Sequence, residues 1–273
     1  MYRTTNSRSS LGGSGGGFNV RILIAIVMAV FALFSYFTSQ EYNPVTGETQ
    51  YLSMTQEQEI ALGLQSAPQM IQEFGGLYRD NEIQSSIDQI GSRLIGSSSV
   101  SANSGWPFEF SVLDDPNTVN AFALPGGQTF ITTGLLALLD NEDEVAGVMA
   151  HEVVHVLARH SAQSIAKNDL TNGLIGAVAV GSGDANAAQT AAMVGQMINL
   201  KYGRDDELQA DNIGVCLMIA AGYNPEAMIE VMQVLEQASG GNSQPEFSST
   251  HPSPQNRIAR IRETIDNADT ICQ

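Results

Sequence analysis

The chain has 273 residues, enough for one large domain or two small ones, and its 43% hydrophobic content suffices to bury a core. Three of its 12 basic residues, Arg3, Arg8 and Arg21, precede Glu41, so nine bases face all 29 acids in the remainder. So acidic a domain repels nucleic acid and argues against a nucleic-acid partner. The two cysteines, Cys216 and Cys272, are too few for a disulfide-rich scaffold or a cysteine zinc site.

Residues 1–17 are dominated by Gly, Ser and Thr and read as a disordered tail that cannot form a core. Ile22 to Phe37 is apolar apart from Ser35 and Tyr36, and with Phe18 and Val20 added the segment 18–38 is just long enough to span a bilayer as a helix. Tyr36 and Phe37 fall where an interfacial aromatic belt lies, with basic residues before the segment and Glu41 and Glu48 after it. The segment therefore reads as an anchor with its N-terminus in the cytoplasm and the following domain exported. A cleaved signal peptide is the competing reading, and it places the domain in the same compartment. There Cys216 and Cys272 could bridge, or Cys216 could remain a buried thiol in the apolar run from Val215 to Ala221. Residues 39–52 contain Asn43-Pro44 and Thr46-Gly47 and read as a turn-rich linker.

The domain expected over 53–273 starts with a helix, for which Ser53-x-x-Gln56 and Thr55-x-x-Gln58 are both candidate capping boxes. A second helix is predicted from Asn81 to Ile95, with Ile83, Ile87, Ile90 and Leu94 on one face, followed by a loop from Gly96 to Gly105. Phe108, Phe110 and Val112 alternate with polar residues and predict a half-buried strand. Asn120–Gly127 leads into a second short strand, Gln128–Thr133. This strand is either an edge on which an extended peptide pairs or one arm of an ordinary hairpin. Asn141-x-x-Glu144 then opens a helix whose buried stripe runs through Val145, Val148, Met149, Glu152, His155 and Val156.

Inside that helix lies His151-Glu152-Val153-Val154-His155. Four residues apart, the two imidazoles project from one face and can share a metal ion, and Glu152 can hold a metal-bound water. A catalytic zinc of this kind lacks one protein ligand. Glu207 is the best candidate, with Asp205 and Asp206 as rivals. Asp211, one turn on, can accept the free N–H of a ligating imidazole. His160 lies off the metal face and reads as a helix C-terminal residue facing the dipole. His251, in a Pro- and Ser-rich loop, is a solvent-exposed residue, a donor to the developing oxyanion, or a fourth, inhibitory ligand. Arg257 is either an oxyanion donor or a salt-bridge partner on the last helix. Between the two metal helices, Asn168–Met197 reads as a mobile lid or a plain helical hairpin, broken at Gly181–Asn186. Further helices are predicted over Pro225–Ala238 and Ser253–Ala268.

His151-Glu-x-x-His155 followed by Glu207-x-x-x-Asp211 resembles the M48 peptidases, membrane-linked gluzincins. Asn120–Gly127, Gly134-Leu-Leu136 and Thr250-His-Pro252 before Arg257-Ile258 resemble that family too. The resemblance covers roughly Asn43 to Ile265 and is closest to the smaller bacterial members with one span and an envelope-exposed domain. It implies an α+β, mostly helical gluzincin-type fold with a small sheet next to the metal helix. It also implies one zinc ion per chain, bound by His151, His155 and Glu207, and endopeptidase activity on polypeptide substrates. The expected role is quality control of membrane or misfolded exported proteins. The alternative is an envelope chaperone or adaptor with a structural metal site, which has no use for Glu152 as a general base.

Overall fold

The computed structural model describes residues 17–182, 203–239, 247, 251 and 256–272. The expected tail up to Gly16, the predicted break beyond Ser182 and most of the Pro-rich loop around His251 lie outside the described residues. The rest is mostly helical with two small sheets, as expected.

Helix α1 (Gly17–Thr38) covers the apolar segment, and its Val20–Thr38 stretch is long and apolar enough to cross a membrane. The expected linker is instead a β-hairpin of β1 (Gln40–Asn43) and β2 (Glu48–Tyr51). Tyr51 stacks on Tyr36 with ring centroids 4.6 Å apart, so the hairpin grips the end of α1. Helix α2 (Gln56–Glu73) uses the second of the two candidate boxes. Gln58 N donates to Thr55 Oγ1, and Thr55 N donates to Gln58 Oε1. Helix α3 (Asn81–Gly96) is capped by Asp80 and buries Ile87, Ile90 and Leu94. The expected loop after it holds a single turn, α4 (Ser99–Ala102).

Strands β3 (Glu109–Leu113), β4 (Ala121–Ala123) and β5 (Gln128–Thr132) form a sheet in the order β3-β5-β4. β5 runs parallel to β3 and antiparallel to β4. The predicted second strand is thus central and has both edges paired. The edges are β3 and β4, and the Ala-Phe-Ala sequence of β4 has too little alternation to announce a strand. Register sorts the side chains by face. Phe122 pairs with Phe130 and both pack with Met70 of α2 and its C-cap Phe74, whereas Ala121 pairs with Ile131 and both join the main core. The chain then makes one turn, α5 (Thr133–Leu136), before α6 (Glu142–Leu157).

Helix α6 starts as predicted. Asn141 Oδ1 accepts from Glu144 N, and the Glu144 carboxylate accepts from Asp140 N and from the Asn141 amide. The expected one-sided stripe is a partial description, because every residue from Ala146 to Leu157 is buried. Helix α6 is a core helix enclosed by α3, by β4 and β5, and by two later helices, α8 (Arg204–Ala221) and α9 (Ala227–Ser239). Three of its four acids lie in the first turn, where the helix dipole favours them, and the fourth is Glu152. At its other end Asn43 Nδ2 donates to Leu157 O and Gln50 Nε2 to Ala158 O, so the hairpin satisfies C-terminal carbonyls of α6.

Arg159 breaks α6 from α7 (His160–Ser182) by taking a left-handed φ of 55°. Its guanidinium donates to Glu59 Oε1 at 2.7 Å, Glu41 Oε1 at 2.7 Å and Met54 O at 2.9 Å. Beyond α9 the chain ends in α10 (Arg257–Asp266) and α11 (Ala268–Ile271). A Cys216–Cys272 disulfide ties the last residues to α8, which settles the choice between a bridge and a buried thiol.

Burial pushes the Glu59 carboxyl up, and the Arg159 charge and hydrogen bond pull it only partly back, leaving it at about 7. A carboxyl whose folded pKa exceeds the unfolded value of 4.5 weakens the fold as pH rises through that window. Arg159→Leu removes the partner, raises Glu59 further and is expected to cost about 3 kcal/mol at pH 8. The deficit should shrink as pH falls toward 5. Urea unfolding at both pH values measures it, and a pH-independent deficit would exclude Glu59 as the source.

Candidate metal centre

The site is built on two helices brought unusually close. Gly214, three residues past Asp211 on α8, lies against the backbone of Ala150 and His151. A Cβ at Gly214 would stand 3.5 Å from His151 N and 3.0 Å from the Met228 side chain. That approach lets the first two turns of α8 face the middle of α6. Among the first-turn acids of α8, Asp205 is exposed and Asp206 accepts from Gly203 N as a cap. Glu207 points inward and is fully buried. The structure thus brings Glu207, and neither rival, to His151 and His155.

Four side chains converge: His151, His155, Glu207 and His251, all buried, with one donor atom of each within 4.8 Å of the others. His151 Nε2 lies 3.0 Å from His155 Nε2 and 3.4 Å from Glu207 Oε2, and His155 Nε2 lies 3.5 Å from Glu207 Oε1. Donors about 2.0–2.1 Å from a tetrahedral ion sit about 3.3 Å from one another, so this set fits a divalent metal. His251 Nδ1 completes the cluster at 3.3 Å from His151 Nε2 and 3.1 Å from Glu207 Oε1. Its ring stacks on Phe247 at 4.4 Å, and Phe247 N donates to Val119 O just before β4. His251 is therefore no solvent-exposed loop residue.

Both imidazoles are oriented so that Nε2 faces the donor cluster and Nδ1 faces a partner behind it. His151 Nδ1 faces Asp211 Oδ1 at 3.0 Å and donates to it. For His155 the holder is His160, whose Nδ1 stands 2.8 Å from His155 Nδ1 and whose Nε2 donates to Gln209 Oε1 at 3.0 Å. Gln209 is itself oriented, since its amide donates to Glu48 Oε2 of the hairpin. The chain Glu48, Gln209, His160 thus leaves His160 Nδ1 as an acceptor and sets the proton of His155 on Nδ1. The expectation that His160 faces a helix C-terminus is corrected: it opens α7 and is fully buried. The spacing of five residues misled because α6 ends before His160.

Of the two readings of Arg257, the structure bears out the salt-bridge partner, and the residue is buried. Its Nε and Nη2 donate to both oxygens of Asp211 at 2.7 and 2.6 Å, and its Nη1 stands 3.0 Å from Glu207 Oε2. With its donors turned to these two carboxylates, it is not placed as an oxyanion donor. Sequence reasoning missed that placement, for which the only signal was a basic residue next to an apolar one after the His251 loop.

Charge organises the site. Burial opposes ionisation of Glu207, yet the His251 and His151 rings hold its carboxyl well below the usual range. Burial likewise pushes Asp211 up, and Arg257 more than reverses it. Burial pushes His151 down, but its hydrogen bonds to Asp211 and Glu207 raise it to about 9. Burial and the neighbouring His151 charge keep His155 well below the ordinary imidazole range. Glu152 is fully buried, neither of its oxygens accepts a hydrogen bond among the described residues, and burial raises its carboxyl.

Comparison with known proteins agrees with this geometry. Residues 81–265 match the model of peptidase family M48. The chain belongs to that family. It is 31% identical to the mitochondrial metalloendopeptidase OMA1 of Schizosaccharomyces pombe over 238 residues, 85% of this chain and 68% of the relative. It is 34% identical to OMA1 of Saccharomyces cerevisiae over 173 residues, 61% of this chain and 50% of that one. The β-barrel assembly-enhancing protease of Escherichia coli is 31% identical over 198 residues, 68% of this chain but 39% of the relative. The chain thus spans about half, or less, of the last two. It is a metalloendopeptidase by family, and the family implies a divalent metal at the cluster just described.

Metal must displace the proton that His151 carries below about pH 9. The apparent affinity is therefore expected to rise about tenfold per pH unit between pH 6 and 8. Competition of the metal-free protein against a chelating dye at three pH values reads this slope. A flat profile would show that His151 is neutral in the metal-free site.

Proposed function

We propose that this chain is a zinc-dependent endopeptidase of the cell envelope that cleaves membrane or misfolded exported polypeptides. The observation that carries the reading is the cluster of His151, His155 and Glu207 donors at tetrahedral spacing beside the buried Glu152 carboxylate, which accepts no hydrogen bond among the described residues and stands 3.5 Å from His251 Nε2. A bound zinc ion would polarise a water molecule and the scissile carbonyl there. Asp211 and His160 hold the two imidazoles in the tautomer that presents Nε2. Glu152, its basicity raised by burial, takes the proton from the attacking water and returns it to the leaving amine. Arg257 offsets the second carboxylate, so that Glu207 and Asp211 share the seam without strong repulsion.

His251 is assigned the role of a removable fourth ligand, supported by its Nδ1 standing inside the donor cluster. In that position it occupies the place a water or substrate oxygen would take, and holds the enzyme latent until it is displaced. The compartment rests on α1, on the basic residues before it with acids after it, and on the Cys216–Cys272 bridge. It agrees with relatives named for β-barrel assembly and for mitochondria.

Glu152→Gln is expected to retain zinc and to lower casein degradation by at least about 100-fold; near-normal cleavage would remove Glu152 from its role. Glu207→Ala should drop zinc well below one equivalent in elemental analysis. His251→Ala should keep its zinc and degrade casein faster than the parent. Slower degradation would instead assign His251 to the oxyanion.

A further inference from the structure

Helix α7 does more than join the two metal-binding helices. It runs antiparallel along α1, the most extensive helix pairing among the described residues. On α1 the residues shielded from solvent between Val20 and Thr38 are Ile22, Ala25, Met28, Ala29, Ala32 and Tyr36. They form one stripe at helical spacing, and half are alanine. The opposite face, including Leu23, Val27, Phe31 and Phe34, is 59–70% exposed. The facing residues of α7 are small too. A Cβ at Gly173 would fall 2.9 Å from the Ala32 Cβ, and one at Gly176 would fall 3.7 Å from the Met28 side chain. Small residues on both sides, letting backbones approach, are how helices pair within a bilayer.

Depth follows from helix geometry. Counting back from Thr38 at 1.5 Å per residue, Ala32 lies about 9 Å and Met28 about 15 Å into a span about 30 Å thick. Gly173 and Gly176 must share those depths. Composition changes at the matching place. Lys167 and Asp169 are the last charged residues of α7, and Leu170 to Ser182 carries none. Apolar content without charge over this length is too short to cross a membrane but long enough to reach its middle.

We propose that the Leu170–Ser182 half of α7 is embedded in the bilayer hydrocarbon, packed against α1 as a second helix that enters without crossing. The inference rests on α1 being a membrane span. If α1 lies in lipid, the helix pressed on its inner stripe as far as Met28 lies there as well. Lys167 and Asp169 then mark the membrane surface, level with Tyr36 and the Tyr51 stack.

The full chain in lipid vesicles tests this. Both native cysteines are in the disulfide, so an introduced cysteine is the one free thiol and can carry a bimane fluorophore. Bimane is placed at Val27→Cys, Lys167→Cys, Thr171→Cys or Leu174→Cys, and quenching is measured with lipids brominated at shallow or deep acyl positions. The expected result is deep quenching at Val27, quenching at Leu174 about as strong, shallow quenching at Thr171, and none at Lys167. Quenching at Val27 without quenching at Leu174 and Thr171 overturns the proposal, whether water or a second copy covers α7. No quenching at Val27 instead overturns the membrane span on which it rests. Thr171 is exposed, so its variant reports depth even if the Leu174 variant misfolds.

Discussion

Two carboxylates and two imidazoles share a seam between α6 and α8 from which water is excluded, and isolated charges there would cost several kcal/mol each. The surrounding structure is arranged to prevent that isolation. Asp211 is neutralised through both of its oxygens by Arg257, and Glu207 lies within reach of Arg257 and three histidines. Gly214 permits the approach that puts these groups in contact. Take away Arg257 and the two acids face each other across a low-dielectric gap; take away the closeness of α8 and the histidines lose their carboxylates. The core packing around α6 therefore serves an electrostatic arrangement as much as an apolar one.

The two imidazoles are oriented by different means. His151 has a direct carboxylate behind it, whereas His155 has a relay through His160 and Gln209 that ends on Glu48 of the β-hairpin. The same hairpin caps the end of α6 through Asn43 and Gln50 and stacks on α1 through Tyr51. A small element outside the main core thus links α1, the end of α6 and the tautomer of one metal-facing ring. A disturbance of the hairpin would be felt at the metal through hydrogen bonds, with no change in the donor set.

Local arithmetic made much of this readable in the sequence. The i, i+4 spacing of His151 with His155 and of Glu207 with Asp211 was enough to place both pairs on faces, and Asn141 with Glu144 marked the start of α6. What stayed hidden depended on long-range partners or on weak local patterns. The salt-bridge reading of Arg257 came without its partners, because nothing nearby in sequence reveals that α10 packs on α8. His160 was misjudged because one residue, Arg159, reverses the backbone twist and ends the helix. The strands of the hairpin are four residues each and largely exposed, so they carry little period-two signal, and Ala121–Ala123 carries almost none.

The disulfide between Cys216 and Cys272 closes a covalent ring over 56 positions, and His251 and Arg257 both lie inside it. A peptide bond cut anywhere within that ring opens the chain without dividing it. Both fragments stay joined, one through α8 and the other through the final turn. For a peptidase exposed to its own activity and to that of its neighbours, such a nick adds one water and leaves the fragments running as a single chain on a gel until the sulfurs are reduced. Release of the segment that carries Arg257 would then be governed by the redox state of the surroundings rather than by the protease that made the cut.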